Sequence, residues 1–386
     1  MRILADENIP CVKEAFSTLG EITTMPGRAM SASEVAGADM LLVRSVTRVA
    51  EKLLHASNVQ FVATATIGTD HLDTEYLDRN GIAWASAPGS NANSVSEYVT
   101  AALLVLAGRL GLSLSDMTVG VIGVGNVGSR VASKCRALGM RPMLNDPPLA
   151  RQTGSPGYLP LEGVLSADVV TLHVPLTKTG PDATHHMVDD GFLARMKDGA
   201  ILINSSRGAV ADTSALLRAA DSERLGALVL DVWEGEPDIS CDLMSRATIA
   251  TPHIAGYSYD GKLNGTRMIY EAACRHLNVE PGWQPDRSLP PGQGAIVAGG
   301  EGALEKQALR VVSQAYDITQ DDGRLRELSS LKPDDRPACF DRLRKTYPVR
   351  REFQNYTVQG VGTGTELGLV LKGIGFNLNP RKEADA

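Results

Sequence analysis

The sequence predicts an α/β protein built on parallel sheets, and three observations lead to this class. Short apolar segments alternate with segments of helical spacing as far as Ile254, a pattern typical of parallel strands covered by helices. A glycine-rich turn from Gly123 to Gly128 lies between an apolar strand and a helix. The 386 residues exceed what one hydrophobic core organises, so several domains are expected.

The individual elements follow from the length and periodicity of the apolar segments. Strands are predicted at residues 2–5, 40–43, 60–65, 118–122, 142–145, 169–173, 200–204, 227–231 and 367–371. Helices are predicted at residues 10–19, 50–56, 95–110, 126–138, 263–277 and 303–316. Ser94 and Glu97 have the spacing of a capping box at the start of the helix predicted at 95–110. The Pro- and Gly-rich segment 281–294 is predicted to be a linker.

Composition excludes several classes of partner. The net charge of -7 argues against a nucleic-acid partner, which favours a basic domain. Acidic residues occupy the N-terminal stretch where a secretory signal needs apolar ones, so we expect no such signal. The longest apolar run, AALLVLAG, is far shorter than a membrane span. Five dispersed cysteines favour reduced thiols in the cytoplasm, with neither a disulfide framework nor a metal site.

The glycine-rich turn has the context of a dinucleotide site. Gly123 would allow the tight turn, Gly125 the approach of a pyrophosphate, and Gly128 the packing of helix on strand. Asp146 follows the next strand, 18 residues after Gly128, and its carboxylate would accept hydrogen bonds from ribose hydroxyls. Because that charge repels a 2′-phosphate, NAD is favoured over NADP. The sequence therefore predicts two Rossmann-like or flavodoxin-like domains and a small C-terminal α+β domain.

Three polar side chains follow other apolar strands and could meet at one edge of the sheet. Arg207 could clamp a carboxylate, His253 could accept a hydroxyl proton, and Glu236 could orient the histidine. Together they suit hydride transfer from a 2-hydroxy acid. Taken singly, each also fits an ordinary structural role: a surface ion pair, a core histidine or a solvated acid.

The motifs GVGNVG, INSSRGAVAD, DVWEGEP and TPHIAG resemble those of the D-isomer-specific 2-hydroxyacid dehydrogenase family, in the same order. The resemblance implies that Arg207, Glu236 and His253 are catalytic. It implies a substrate-binding domain from 1–95 and 257–286, an NAD-binding domain from 96–256, and a C-terminal dimerisation domain from 287–386.

One member of that family, an enzyme that acts on a phosphorylated 2-hydroxy acid, resembles the chain along its full length, from MRILADENIP to FDRLRKTYPVRRE. This closer resemblance implies that the substrate is bound by Arg44, Ser45, Thr66 and Tyr257. It implies a cofactor site made of Gly123, Gly125, Asn126, Val127, Gly128, Asp146, Val174, Ser205, Ser206, Arg207, Asp231 and Gly256. A small-molecule substrate and a homodimer are the expected partners.

Two questions stay open at this point. The C-terminal basic cluster comprises Arg342, Arg344, Lys345, Arg350 and Arg351. A solvated basic face or an intersubunit patch is favoured over direct binding of the substrate phosphate. The alternative functions are a D-3-phosphoglycerate or other 2-hydroxyacid dehydrogenase, and a non-catalytic NAD-sensing protein of the same fold.

Overall fold

A computed structural model describes residues 1–285 and 295–379, and all statements below concern these residues. The strands are β1 (Arg2–Asp6), β2 (Glu21–Met25), β3 (Met40–Val43), β4 (Phe61–Thr64), β5 (Ala83–Ala85), β6 (Thr118–Ile122), β7 (Arg141–Asn145), β8 (Val169–Leu172), β9 (Ala200–Asn204), β10 (Leu225–Leu230), β11 (Ile249–Ala250), β12 (Ile296–Val297), β13 (Thr357–Gln359) and β14 (Asn377–Leu378).

The α-helices are α1 (Val12–Phe16), α2 (Ala32–Val35), α3 (Glu51–Leu54), α4 (Thr74–Arg79), α5 (Ala92–Leu110), α6 (Asn126–Ala137), α7 (Pro147–Thr153), α8 (Leu161–Leu165), α9 (Asp190–Arg195), α10 (Thr213–Asp221), α11 (Cys241–Arg246), α12 (Tyr259–Leu277), α13 (Leu304–Ala315), α14 (Ile318–Arg326), α15 (Arg336–Lys345) and α16 (Glu366–Ile374). Short 3-10 helices cover Gly27–Ala29, Leu114–Asp116, Gly208–Val210, Glu327–Ser330, Pro333–Asp335 and Phe353–Asn355. No helix in the described ranges is long and apolar enough to cross a membrane.

The described residues pack into two compact units, and the first combines 1–91 with 258–285. Its sheet has the strand order β2-β1-β3-β4-β5, with every pair parallel. Helix α12 joins this unit through an aromatic cluster in which Tyr270 packs edge-to-face on Phe16 and on Trp283, with ring centroids 5.5 and 5.6 Å apart. The core of this unit therefore uses two segments that are far apart in sequence.

The second unit comprises 92–257 and 295–379. Its larger sheet is also parallel, with the order β11-β10-β9-β8-β6-β7. The chain reverses its direction of travel across the sheet between β6 and β8, which creates a crevice at the carboxyl ends of these strands. The predicted fold class, with two parallel α/β sheets and a smaller C-terminal part, is confirmed.

The C-terminal part of the second unit has a three-stranded parallel sheet, β12-β13-β14, and four helices. The strand predicted at 367–371 is wrong, because these residues lie in α16. Thr365 caps that helix by accepting a hydrogen bond from the Gly368 N–H, and Gly375 ends it with a φ of +116°. The apolar run LGLVL suits a strand equally well, and only the capping residues on either side distinguish the two. Of the predicted linker, residues 286–294 lie outside the described residues.

The capping box predicted at Ser94 is also wrong. Helix α5 begins earlier, at Ala92, so Ser94 and Glu97 lie inside it. The Ser94 hydroxyl donates to Glu352 Oε1 over 2.7 Å, and Glu97 Oε1 accepts from the Phe353 N–H over 2.9 Å. Both side chains therefore hold the C-terminal part on α5 rather than capping the helix.

Arg350 and Arg351 do not belong to a solvated basic face, because they are only 5% and 4% exposed. The Arg350 guanidinium lies over the Tyr316 ring, 4.2 Å from its centroid, and donates to the carbonyls of Ser94 and Ala255. Arg351 donates to Asn355 Oδ1 over 2.6 Å. These arginines are structural links inside the second unit.

Glu97, in the contact between α5 and the C-terminal part, has a shifted pKa. Burial raises its pKa to about 8, Glu352 adds to the rise, and Lys134 opposes it. Its Oε2 is buried and accepts no hydrogen bond within the described part of the chain. Glu97 is therefore largely neutral at pH 7, as burial of an unpaired carboxylate oxygen requires.

Glu97→Gln should flatten the dependence of stability on pH. A carboxyl whose folded pKa is raised stabilises the fold fully below its unfolded pKa of 4.5, and this contribution falls as pH rises to about 8. Between those values we expect wild type to lose at least about 1 kcal/mol of unfolding free energy relative to Glu97→Gln. Urea unfolding at a series of pH values measures it. The exposed Glu301→Gln serves as control, and parallel curves for wild type and Glu97→Gln would contradict the assignment.

Candidate active site

The glycine-rich turn connects β6 to α6, and its geometry explains each glycine. Gly123 has a φ of +84°, and a Cβ there would lie 2.6 Å from the His173 carbonyl oxygen. A Cβ on Gly128 would lie 1.9 Å from the Gly123 carbonyl oxygen. Gly125 differs, because a Cβ there would meet no atom within 4 Å. Two glycines therefore serve internal packing, while the third leaves open space above the turn.

The first turn of α6 has the character of an anion site. Its N-cap residue is Gly125, which has no side chain to accept from the helix amides, and Asn126 and Val127 follow it directly. Gly125 and Asn126 are exposed. Unpaired amides at a helix N-terminus bind phosphate groups, so this end of α6 fits the pyrophosphate of a dinucleotide.

Asp146 lies at the end of β7, beside the turn. Its Oδ2 accepts from the Val124 N–H over 2.8 Å, and its Oδ1 accepts from the Leu149 N–H over 3.0 Å as the N-cap of α7. The sequence did not indicate these two contacts. They fix the orientation of the carboxylate, and its remaining lone pairs can still accept from ribose hydroxyls.

The ends of β8 and β9 supply the other predicted cofactor residues. Val174 follows β8, and Ser205 and Ser206 follow β9. The Ser206 hydroxyl and N–H both donate to Asn204 Oδ1, over 2.9 and 3.1 Å. The Ser205 Oγ is buried and has no hydrogen-bond partner in the described residues. An unsatisfied hydroxyl at the carboxyl edge of the sheet that carries the glycine-rich turn is available to a polar ligand.

Glu236 and His253 form a hydrogen-bonded pair, with 2.7 Å between Glu236 Oε2 and His253 Nδ1. Glu236 Oε1 accepts from the Trp233 N–H over 2.8 Å. Burial alone would raise the pKa of Glu236, but the charge and hydrogen bond of His253, together with the charge of Arg344, lower it below its usual value. Glu236 is thus ionised at neutral pH, and Nε2 is the imidazole nitrogen left for a substrate proton.

The loop that carries His253 is held by the buried Asp231. Asp231 Oδ1 accepts from the Ile254 N–H and the Thr251 hydroxyl, and Oδ2 accepts from the Ala255 N–H, all within 2.9 Å. The Asp231 carbonyl accepts from the His253 N–H over 2.7 Å. His253 has a φ of +57°, which is unusual for a histidine and is maintained by this set of bonds. The sequence predicted Asp231 only as a cofactor residue.

Arg207 follows β9, the neighbour of the strand that precedes Glu236. Its Nη1 donates to the Ser206 carbonyl over 2.8 Å. The next residue, Gly208, lies so close to Trp233 that a Cβ would be 2.0 Å from that residue's carbonyl carbon. This contact brings the Arg207 loop against the Glu236 loop, and no motif in the sequence had singled out Gly208 for it.

The remaining predicted residues lie in both units. Arg44 and Ser45 follow β3 and Thr66 follows β4, at the carboxyl ends of two paired strands of the first unit. The Thr66 hydroxyl lies 2.7 Å from the Thr64 hydroxyl. Gly256 and Tyr257 belong to the second unit, after the His253 loop, and the Tyr257 ring packs edge-to-face on Tyr347.

The sequence predicts no metal site, yet three possible ligands converge on a surface loop. Ligand atoms of His185, His186 and Glu234 lie within 4.8 Å of one another. Glu234 Oε1 is 2.6 Å from His186 Nε2, and Asp212 Oδ2 is 3.6 Å from His186 Nδ1. Both nitrogens of His186 therefore have carboxylate neighbours already.

Comparison with known proteins shows which family the chain resembles. The sequence profile described as the NAD-binding domain of D-isomer specific 2-hydroxyacid dehydrogenases matches residues 97–255, and a domain of unknown function matches residues 289–375. D-lactate dehydrogenase from Aquifex aeolicus, solved with NAD and lactic acid, superposes with a TM-score of 0.61 at 27% identity. That match covers 72% of this chain and 96% of the other.

These findings place the chain among the NAD-dependent D-isomer specific 2-hydroxyacid dehydrogenases, and the expectation of NAD as cofactor is confirmed. A protein of Salinibacter ruber named erythronate-4-phosphate dehydrogenase is 49% identical over 375 residues, which cover 95% of this chain and 96% of the relative. A protein of the same name from Yersinia pestis (strain Pestoides F) is 46% identical over 378 residues, 97% of this chain and 99% of the relative. The chain belongs to the erythronate-4-phosphate dehydrogenase family.

Gly208→Ala should disrupt the contact between the Arg207 and Glu236 loops. Because the added methyl group would meet the backbone of Trp233, the loops must separate, and we expect a loss of about 3 kcal/mol in unfolding free energy together with most of the activity. Urea unfolding and the rate of NADH formation measure the two effects. Gly323→Ala is the matched control, since its Cβ would meet nothing within 4 Å. Equal behaviour of the two variants would show that the contact is unimportant.

Proposed function

We propose that this chain oxidises 4-phospho-D-erythronate to 2-oxo-3-hydroxy-4-phosphobutanoate with reduction of NAD to NADH, a step of pyridoxal 5′-phosphate biosynthesis. The observation that carries the proposal is the pair of Glu236 and His253 at the carboxyl edge of an NAD-binding sheet, 2.7 Å apart. The names of the full-length relatives support the choice of substrate.

The three candidate catalytic residues of the second unit each have a defined role in the proposed reaction. Arg207 would bind the substrate carboxylate through its planar guanidinium. His253 Nε2 would take the proton of the C2 hydroxyl while the C2–H bond breaks. Glu236 would hold the proton on Nδ1 and stabilise the imidazolium that forms, as its hydrogen bond to that nitrogen allows. In the reverse direction His253 returns the proton.

Bound NAD supplies the acceptor for the hydride that leaves C2. The residues proposed to hold it are Gly123, Gly125, Asn126, Val127, Gly128, Asp146, Val174, Ser205, Ser206, Arg207, Asp231 and Gly256. The open space above Gly125 and the unsatisfied Ser205 hydroxyl support this set. Asp231 differs from the other residues of this set, because both of its carboxylate oxygens accept hydrogen bonds from the His253 loop.

The proposal also assigns a function to each domain. Residues 1–95 and 257–286 would bind substrate through Arg44, Ser45, Thr66 and Tyr257, residues 96–256 would bind NAD, and residues 287–386 would form the contact of a homodimer. The match of 289–375 to a separate sequence profile supports an independent role for that last segment. A cytoplasmic location stays a prediction from the dispersed cysteines.

A substrate profile tests the proposed function. With NAD present we expect kcat/KM for 4-phospho-D-erythronate to exceed that for 3-phosphoglycerate and for D-lactate by at least about 100-fold, because a polar pocket built for one substrate leaves groups unpaired with another. NADH absorbance measures each rate. Preference for 3-phosphoglycerate would make the chain a dehydrogenase of that acid. Tight NADH binding without turnover of any of the three would favour a sensor.

Substitutions of His253 and Glu236 distinguish an effect on the chemical step from an effect on cofactor binding. His253→Ala should lower kcat by about 100- to 10,000-fold, because no other group takes the hydroxyl proton. Glu236→Gln should also lower kcat, since glutamine cannot stabilise the imidazolium. Both variants should bind NADH as wild type does, which fluorescence titration measures. The exposed His55→Ala is the control, and undiminished turnover by His253→Ala would rule out the assigned role.

A further inference from the structure

Arg344 is the member of the C-terminal basic cluster that packs against Tyr257, which follows the His253 loop. It is carried by α15 and is only half-exposed. Its guanidinium carbon lies 5.6 Å from the centroid of the Tyr257 ring, and 5.9 Å from that of Phe340. Arg344 also hydrogen-bonds to the Tyr257 side chain. The planar cation is thus fixed against a residue four positions after His253.

The other members of the cluster do not have this location. Arg350 and Arg351 are buried and bind backbone carbonyls or Asn355. Arg342 donates to Cys339 Sγ, and Lys345 is exposed at the end of α15. The charge of Arg344 lowers the pKa of Glu236.

Arg344 also has an unsatisfied hydrogen-bond donor. Its Nε is buried and has no hydrogen-bond partner within the described ranges. The two oxygens of Glu236 accept from the Trp233 N–H and from His253. An arginine held over an aromatic ring, with a buried N–H that has no partner in the described residues, has a donor available for an anion.

Arg344 lies outside the NAD-binding sequence profile. The match to D-lactate dehydrogenase uses 96% of that chain but 72% of this one, so more than a quarter of this chain has no counterpart there. Helix α15 lies in the segment 289–375, which matches a separate domain profile and not the NAD-binding one. Lactic acid carries a carboxylate and no second anionic group.

We propose that Arg344 binds the phosphate group of the substrate and is a specificity-determining residue. The inference rests on the proposed function and extends it to one residue of the C-terminal segment. Arg207 would bind the carboxylate at C1, His253 the hydroxyl at C2, and Arg344 the phosphate on C4, with the ring of Tyr257 holding the guanidinium in place. The C-terminal segment therefore contributes to the substrate site as well as to packing.

Arg344→Ala tests the proposal with two substrates that differ only in the phosphate. For 4-phospho-D-erythronate we expect KM to rise about 10- to 100-fold, the size of a lost charge-assisted hydrogen bond. For unphosphorylated D-erythronate kcat/KM should stay within about 3-fold of wild type. Arg344→Lys, which keeps the charge without the two-donor fork, should be intermediate. Lys345→Ala removes the adjacent exposed charge and should match wild type.

A binding measurement makes the result independent of turnover. Calorimetric titration of the NADH-loaded protein with inorganic phosphate should give saturable binding for wild type and Lys345→Ala, and a loss of at least about 10-fold for Arg344→Ala. If Arg344→Ala does not fold, as judged by its thermal transition, the comparison is made with Arg344→Lys.

Three results would overturn the proposal. Equal losses in kcat on both substrates, with a changed pH profile, would mean that Arg344 acts only through Glu236. An unchanged KM for 4-phospho-D-erythronate would place the phosphate elsewhere. Undiminished phosphate binding by Arg344→Ala would do the same. Failure of wild type to oxidise 4-phospho-D-erythronate would instead refute the proposed function, and the phosphate titration would still decide the role of Arg344.

Discussion

The buried carboxylate of Asp231 holds the loop on which the candidate chemistry depends. A carboxylate without water must receive hydrogen bonds, and here it receives them from two backbone amides and the Thr251 hydroxyl. These bonds keep His253 in a left-handed backbone conformation, in which its ring meets Glu236. The strands β10 and β11 are adjacent, so the two loops at their carboxyl ends are brought together by the sheet itself.

The C-terminal part stabilises the same loop from another direction. Arg350 donates to the Ala255 carbonyl, while the Ala255 N–H binds Asp231. Glu352 and Glu97 fasten this part to α5 through buried hydrogen bonds. These buried hydrogen bonds link the C-terminal part both to α5 and to the loop that carries His253. Arg344 lies on α15, in the same C-terminal part.

Strong local patterns made much of the fold predictable. Strands β3, β6 and β9 have the predicted bounds, since each is a short and mostly apolar segment next to turn residues. The helix after the glycine turn was likewise evident from the spacing of its glycines. Prediction was wrong where the local signal was ambiguous. The run at 367–371 suits strand or helix, and Ser94 has the spacing of a cap although its true partner, Glu352, is 258 residues away.

By itself, the sequence determined the α/β class and the cofactor, and it predicted the candidate catalytic residues, because glycine spacing and the polar residues after apolar strands are local properties of the chain. Only the tertiary structure decided what holds those residues. Three contacts join segments that are separate in sequence. They are the close approach of Gly208 to Trp233, the hydrogen bonds of Asp231 to the His253 loop, and the contact of Arg344 with the Tyr257 ring. Burial and partner choice are set by packing, and packing has no signature in residue spacing.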